Sequence, residues 1–197
     1  MNLLPITLPG ADLRFDPQWL PPALADALLA ELIDRITWEV HRIRLFGREV
    51  DSPRLSCWIG DEGAGYRYSG VRFTPRPWPL VLLPVRERLQ RELAAPFNSV
   101  LANRYRSGRD AMGWHSDDEP ELGATPLIAS LSLGATRRFA LKNKRDPANR
   151  LTLDLPHGSL LLMAGDTQRH YRHALPRTTR VVGERINLTF RQITPVD

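Results

Sequence analysis

From residue 97 onward the chain runs FNSVLANRY (97–105), PLIASLSLG (126–134), RRFALKN (137–143), LTLDL (151–155), GSLLLMAG (158–165) and RINLTFRQI (185–193). Gly, Pro and Asp turns separate these runs, and each is short and rich in β-formers, which reads as strands. ASLSL and RFALK alternate like strands with one buried face, whereas GSLLLMAG is continuously apolar and suits a strand covered on both sides. So many short strands at this spacing predict a mainly β (α+β) chain with a jelly-roll core over 98–193.

Upstream the pattern changes. Pro21 and Pro22 open a helical stretch in which Leu24, Leu28, Leu32 and Ile36 recur at helix spacing. A second helix begins near Pro79, with Leu82, Val85, Leu89 and Leu93 on one face and Arg86, Glu87, Arg88 and Glu92 on the other, until Pro96 stops it. Both helices are expected to pack on the outside of the strands. Between them, residues 37–78 mix aromatics, arginines and glycines (HRIRLFGREVDSPRLSCWIGDEGAGYRYSGVRF at 41–73) and read as hairpins and loops instead of core. We expect one domain over 1–197, with 37–78 as an appended lid.

Composition narrows the function classes. With 42% apolar and 25% charged residues in 197, the chain has the makeup of a soluble globular protein. No apolar run approaches the ~20 residues of a membrane span. No basic and then apolar leader opens the sequence, so a cytoplasmic monomer without membrane attachment is expected. A single cysteine, Cys57, excludes an internal disulfide and a cysteine-based zinc cluster, and its place in LSCWI reads as packing. The formal charge is +5 and the pI about 10.0. Since Lys142 and Lys144 are the only lysines, the excess is almost all arginine. That balance favours a polyanionic partner but is equally a mark of a GC-rich coding sequence.

Chemistry concentrates in two places. In GWHSDDE, His115 and Asp117 stand two apart, so on a strand an imidazole and a carboxylate point to one side. QRHYRHALP supplies another imidazole from a second strand, either His170 or His173; being three apart, they face opposite sides. Two His and one carboxylate leave coordination positions open on a non-haem iron. The last strand alternates Arg185, Asn187, Thr189 and Arg191 with Ile186, Leu188 and Phe190. An interior face bearing two arginines is costly unless it binds an anion, and guanidinium pairs with carboxylate in a bidentate fork. Asn103 and Tyr105 share a face and can add hydrogen bonds. His157, in the turn LPHGS, reads as a loop residue.

Taken together, N-R-Y-x-x-G-x-D-x-x-G-W-H-S-D-D-E, L-I-A-S-L-S-L-G, G-S-L-L-L-M-A-G-x-T-Q, H-x-L-P and R-I-N-L-T-F-R, spread over about 45–193, resemble the AlkB family of Fe(II)/2-oxoglutarate dioxygenases. The likeness is strongest to the branch that repairs alkylated DNA bases. It implies a double-stranded β-helix (jelly roll), with Fe(II) on His115, Asp117 and His173, the histidine before x-L-P. It implies 2-oxoglutarate held by Asn103, Tyr105, Arg185, Asn187, Thr189 and Arg191. Tyr66 and Tyr68 would be the aromatic pair of a nucleotide-recognition lid, Asp118 and Glu119 would read the base, and Arg54 would lie near the DNA backbone. The implied reaction is oxidative dealkylation of bases of the 1-methyladenine and 3-methylcytosine type, releasing formaldehyde, succinate and CO2. The same chemistry on RNA or another methylated substrate, and a nucleic-acid binding module with a degenerate site, are the alternatives.

Overall fold

The structure is a computed structural model that describes residues 2–40, 42–45, 48–68 and 71–194, with the backbone alone for the strand residues within 43–49 and 66–73. In chain order it comprises β1 (Leu4–Ile6), β2 (Asp12–Asp16), α1 (Pro22–Arg35), β3 (Arg42–Leu45), β4 (Arg48–Asp51), β5 (Leu55–Gly60), β6 (Tyr66–Tyr68), β7 (Val71–Phe73) and α2 (Leu83–Leu93). Then come β8 (Ser99–Tyr105), β9 (Met112–His115), β10 (Ile128–Gly134), β11 (Arg137–Asn143), β12 (Arg150–Leu155), β13 (Leu160–Ala164), α3 (Thr167–His170), β14 (Tyr171–Leu175) and β15 (Arg185–Arg191).

The strands form a seven-stranded sheet, β1-β2-β13-β10-β15-β8-β5, and a four-stranded sheet, β12-β11-β14-β9. Apart from β1-β2 and β11-β12, neighbours in both sheets are non-sequential, the mark of the expected jelly roll. The two hairpins β3-β4 and β6-β7 stand apart from these sheets.

Alternation along β15 sets both faces of the larger sheet. Ile186, Leu188 and Phe190 join Val100, Ala102, Leu131 and Leu133 in a core covered by Leu28 and Leu32 of α1 and Val85 and Leu89 of α2. Each such side chain contributes roughly 1.5–3 kcal/mol by leaving water, so both helices are held by the sheet they cover. The opposite face looks between the sheets. One part of that interior is closed by Leu13, Ile128, Phe139, Leu141, Leu161, Met163 and Tyr171. The rest carries the polar residues of β15.

Two readings are corrected, and one stretch that carried no reading is placed. Leu24, expected on the buried stripe of α1, is 59% exposed, and Ala25 takes its place because steps of four drift round a 3.6-residue helix while 25, 28 and 32 stay closer to one face. Segment 37–78 is not wholly outside the core: β5 is almost entirely buried and pairs with β8 at the edge of the larger sheet, Cys57 opposite Ala102. Its run LSCWIG has no alternation because both faces are covered. The N-terminal stretch, which carries no motif, adds β1 and β2 to that sheet, with β2 alongside β13. Among the described residues no helix is long and apolar enough to cross a membrane.

Candidate metal and co-substrate site

β9 and β14 pair antiparallel with His115 opposite His173, and the chain leaves β9 at His115, bringing Asp117 round to the same point. The two imidazole centroids are 4.2 Å apart. His115 Nε2 lies 3.6 Å from Asp117 Oδ1, and one ligand atom from each of His115, Asp117 and His173 falls within 4.8 Å of the others. His170 points elsewhere, its Nδ1 3.0 Å from the Gly10 carbonyl. His157 sits in a turn, where its Nδ1 accepts from the Gly134 N–H.

Neighbouring groups orient the three. The Gly113 carbonyl, 2.8 Å from His115 Nδ1, can only accept, so Nδ1 carries the proton and Nε2 keeps its lone pair. The Gln168 side-chain oxygen accepts the Asp117 backbone N–H at 2.9 Å. Arg191 donates to Asp117 Oδ2 from Nη2 at 2.6 Å and Nε at 3.2 Å, leaving Oδ1 facing the histidines. Burial raises the Asp117 pKa, but the Arg191 guanidinium above all, with His173 and His115 beside it, outweighs burial and holds the carboxyl well below the usual carboxylate range. Burial, then the neighbouring His115, pushes His173 down to about 3, and burial also lowers His115. At neutral pH the trio is two neutral imidazoles and one carboxylate, the protonation a divalent cation requires.

The inner face of β15 continues the site. Register sets Arg185 opposite Tyr105 and Asn187 opposite Asn103 on β8, with Asn187 opposite Ser132 and Thr189 opposite Ser130 on β10. Gly134, opposite Arg185, has φ +84°, and a Cβ there would lie 2.4 Å from the Glu184 carbonyl, so only glycine lets the strands close here. Asn187 Nδ2 donates to Ser130 Oγ and the Leu131 carbonyl. Arg185 is completely buried; its Nη2 donates to Ser132 Oγ at 2.9 Å and its guanidinium lies 5.3 Å from the Tyr105 ring centroid. Among the described residues, nothing hydrogen-bonds Arg185 Nε or Nη1. Burial pulls its pKa down to about 10, so it stays charged at neutral pH. A buried cation with two unsatisfied donors costs several kcal/mol, which an incoming carboxylate would offset.

A family model described as the 2OG-Fe(II) oxygenase superfamily matches residues 12–191. DNA oxidative demethylase ALKBH2 of Bos taurus is 41% identical over 183 residues, covering 88% of this chain and 66% of its own length. The chain belongs to the AlkB family of 2OG-Fe(II) oxygenases. Alpha-ketoglutarate-dependent dioxygenase alkB homolog 3 of Homo sapiens is 38% identical over 180 residues, covering 87% of this chain and 62% of its own length. This oxygenase thus spans somewhat under two thirds of these two relatives. The solved structure of OsALKBH1 shares the fold, with a TM-score of 0.64 at 18% identity over 96% of this chain and 99% of that one.

The donor set of this oxygenase fits the family's requirements: two imidazoles and a carboxylate for iron, and an unsatisfied buried arginine for an acidic co-substrate. Asn103 and Tyr105 are buried and line the same cavity as the triad, and Tyr105 stands against Arg185. The remaining expected residues divide. Arg54 is expected near the DNA backbone. It is 6% exposed and turned inward, donating from Nε to Asn103 Oδ1 at 2.7 Å and from Nη1 to Ser52 Oγ at 3.0 Å. Fixing Oδ1 in this way leaves the Nδ2 hydrogens as what Asn103 offers the cavity. Asp118 is exposed and ion-paired with Lys144 at 2.9 Å; Glu119 is half-buried next to it. Tyr66 and Tyr68 lie on β6, opposite Phe73 and Val71, and their side chains lie outside what the structure describes.

Two contributors carry no sequence signal strong enough to single them out. Gln168 acts through a backbone N–H fifty-one residues away. Arg137 is buried and ties three loop carbonyls at the site's rim, those of Ser107, Asp110 and Pro176. Ser130 and Ser132 were traceable: they are the polar positions in the alternating run ASLSL.

Proposed function

We propose that this oxygenase oxidatively dealkylates N-methylated bases in DNA, of the 1-methyladenine and 3-methylcytosine type. The observation that carries the reading is a His-Asp-His triad sharing one cavity with Asn103, Tyr105, Asn187, Thr189 and Arg191, with the fully buried Arg185 against Tyr105. The choice of DNA rests on the bovine relative, a DNA oxidative demethylase.

His115, Asp117 and His173 would hold the iron, and Asn103, Tyr105, Arg185, Asn187, Thr189 and Arg191 the 2-oxoglutarate. When bound, iron with 2-oxoglutarate and dioxygen supplies the oxidation of the N-methyl carbon, after which formaldehyde, succinate and CO2 leave. The chain's own residues orient and shield. Arg185 with Asn103 and Tyr105 would take a carboxylate of the 2-oxoglutarate. Arg191 keeps Asp117 pointed at the histidines. The apolar remainder of the barrel interior keeps water out. Because the target methyl lies within a base stack, the nucleotide must be extruded or single-stranded. Tyr66 and Tyr68 then stack on it, and Asp118 and Glu119 meet its exocyclic amine or positive charge.

The test is formaldehyde release over a panel of methylated oligonucleotides. Stoichiometric formaldehyde and succinate from 1-methyladenine or 3-methylcytosine in DNA, with RNA of the same sequence a poor competitor, is the expected result. Release from RNA alone would move the substrate class; no release from any member would end the reading.

A further inference from the structure

The outer face of the smaller sheet carries charge that neither the fold nor the iron site uses. Along β11 the burial pattern alternates, so Arg138, Ala140 and Lys142 face out; on β12 the outward positions are Arg150, Thr152 and Asp154, and on β14 Arg172. Register lines up three cations in one row. Lys142 is opposite Arg150 on one side and Arg172 on the other. Like charges directly opposite across a strand pair repel, and here the repulsion occurs twice. Among the described residues neither Arg150 nor Arg172 has an ion pair, and Lys142 pairs only with a ring, its ammonium 4.2 Å over the centroid of Trp114 on β9. Asp154, the one carboxylate among the described outward positions of these strands, is opposite Arg138 at the other end of the face. Trp114 is 45% exposed, among the few large apolar side chains left in water.

A row of mutually repelling cations ending on an exposed indole has the composition of a single-strand nucleic-acid track: charge for phosphates, a flat ring for a base. It adjoins the iron site, since Trp114 precedes His115 and Arg172 precedes His173 in the same paired strands.

We propose that Arg150, Lys142, Arg172 and Trp114 form a docking track for the nucleic-acid strand that flanks the base presented to the iron. The proposal rests on the nucleic-acid reading above but concerns binding away from the chemistry.

The test compares wild type with the triple variant K142Q/R150Q/R172Q and a control triple, R14Q/R35Q/R91Q, which removes equal charge from β2, α1 and α2. Binding of an unmodified single-stranded DNA 20-mer is followed by fluorescence anisotropy across a range of salt. Removing one phosphate-neutralising cation flattens the plot of log K against log salt by about 0.7. The track triple is therefore expected to lower the slope by about 2 and weaken binding on the order of 100-fold at 0.1 M salt. The control triple keeps the wild-type slope. Trp114→Ala weakens binding by roughly tenfold without changing the slope. Thermal unfolding of the track triple should be no earlier than wild type, because the substitutions remove repulsion between exposed groups. Equal slopes for wild type and track triple, or equal losses in the two triples, would overturn the proposal. A track that binds in a protein releasing no formaldehyde would overturn the repair reading and leave this one standing.

Discussion

The two ends of β15 present the same side chain on the same face and treat it oppositely. Arg191 is matched: two of its nitrogens grip Asp117, and the pair is nearly inaccessible, each side chain 4% exposed. Arg185, six residues away and fully buried, has a serine hydroxyl and a tyrosine ring for neighbours and no carboxylate within ion-pair reach among the described residues. One cation builds the site; the other is the one proposed to meet a ligand. The fold tolerates the second because the opposite face of the same strand buries Ile186, Leu188 and Phe190 completely.

The contrast is broken most severely at Asp117. Asp117→Ala removes a ligand and strands Arg191, so we expect destabilisation of about 3–5 kcal/mol together with loss of Mn(II) binding. Denaturant unfolding and metal titration read the two effects separately. Next come the two arginines exchanged for methionine. Arg191→Met should destabilise by a similar order, because it leaves Asp117 buried and alone. Arg185→Met should instead raise the stability of the ligand-free protein by ~1–3 kcal/mol while abolishing 2-oxoglutarate binding. If both methionine variants moved stability in the same direction, the division of roles along β15 would be wrong.

Smaller still is Gln168→Leu, which unties the Asp117 N–H and should weaken metal binding by roughly 10–100-fold with the triad intact. The smallest effect belongs to the rim, where Arg106 donates three hydrogen bonds to Asp110. Though burial alone would raise it, these bonds, the Arg106 charge and the Arg137 charge lower the Asp110 pKa. A depressed carboxyl stabilises above its unfolded pKa and stops doing so as pH falls through its folded value. Asp110→Asn should therefore cost about 1 kcal/mol at pH 7, Arg106 being half exposed, and nothing once pH falls below the folded pKa. Urea midpoints at pH 7 and in acid give the sign.

This inequality was only half legible in the sequence. Alternation in RINLTFRQI put both arginines on the inner face, but period two cannot say which finds a carboxylate. That depends on Asp117 arriving from a loop seventy-four residues earlier. The same limit explains Arg54. The resemblance put it near the DNA backbone, yet the bend just before β5 turns it inward to Asn103. Likewise His170 and His173 could not be separated by spacing alone; the turn of α3 before β14 swings His170 toward Gly10 and leaves His173 opposite His115. Elements with a clean period, such as α2, β10 and β15, were readable because one face is wet or helix-covered and the other is not. β5 and the N-terminal hairpin were not, since their burial comes from partners distant in sequence.

The central claim is that the triad and Arg185 bind iron and 2-oxoglutarate as one unit. Anaerobic titration of 2-oxoglutarate into the Fe(II)-loaded protein tests it most directly, by the visible charge-transfer absorption of an iron-bound 2-oxo acid. Wild type should develop the band at one equivalent, whereas His173→Ala and the folded Arg185→Met should not. A band of full strength in Arg185→Met, at the wild-type 2-oxoglutarate concentration, would contradict the account.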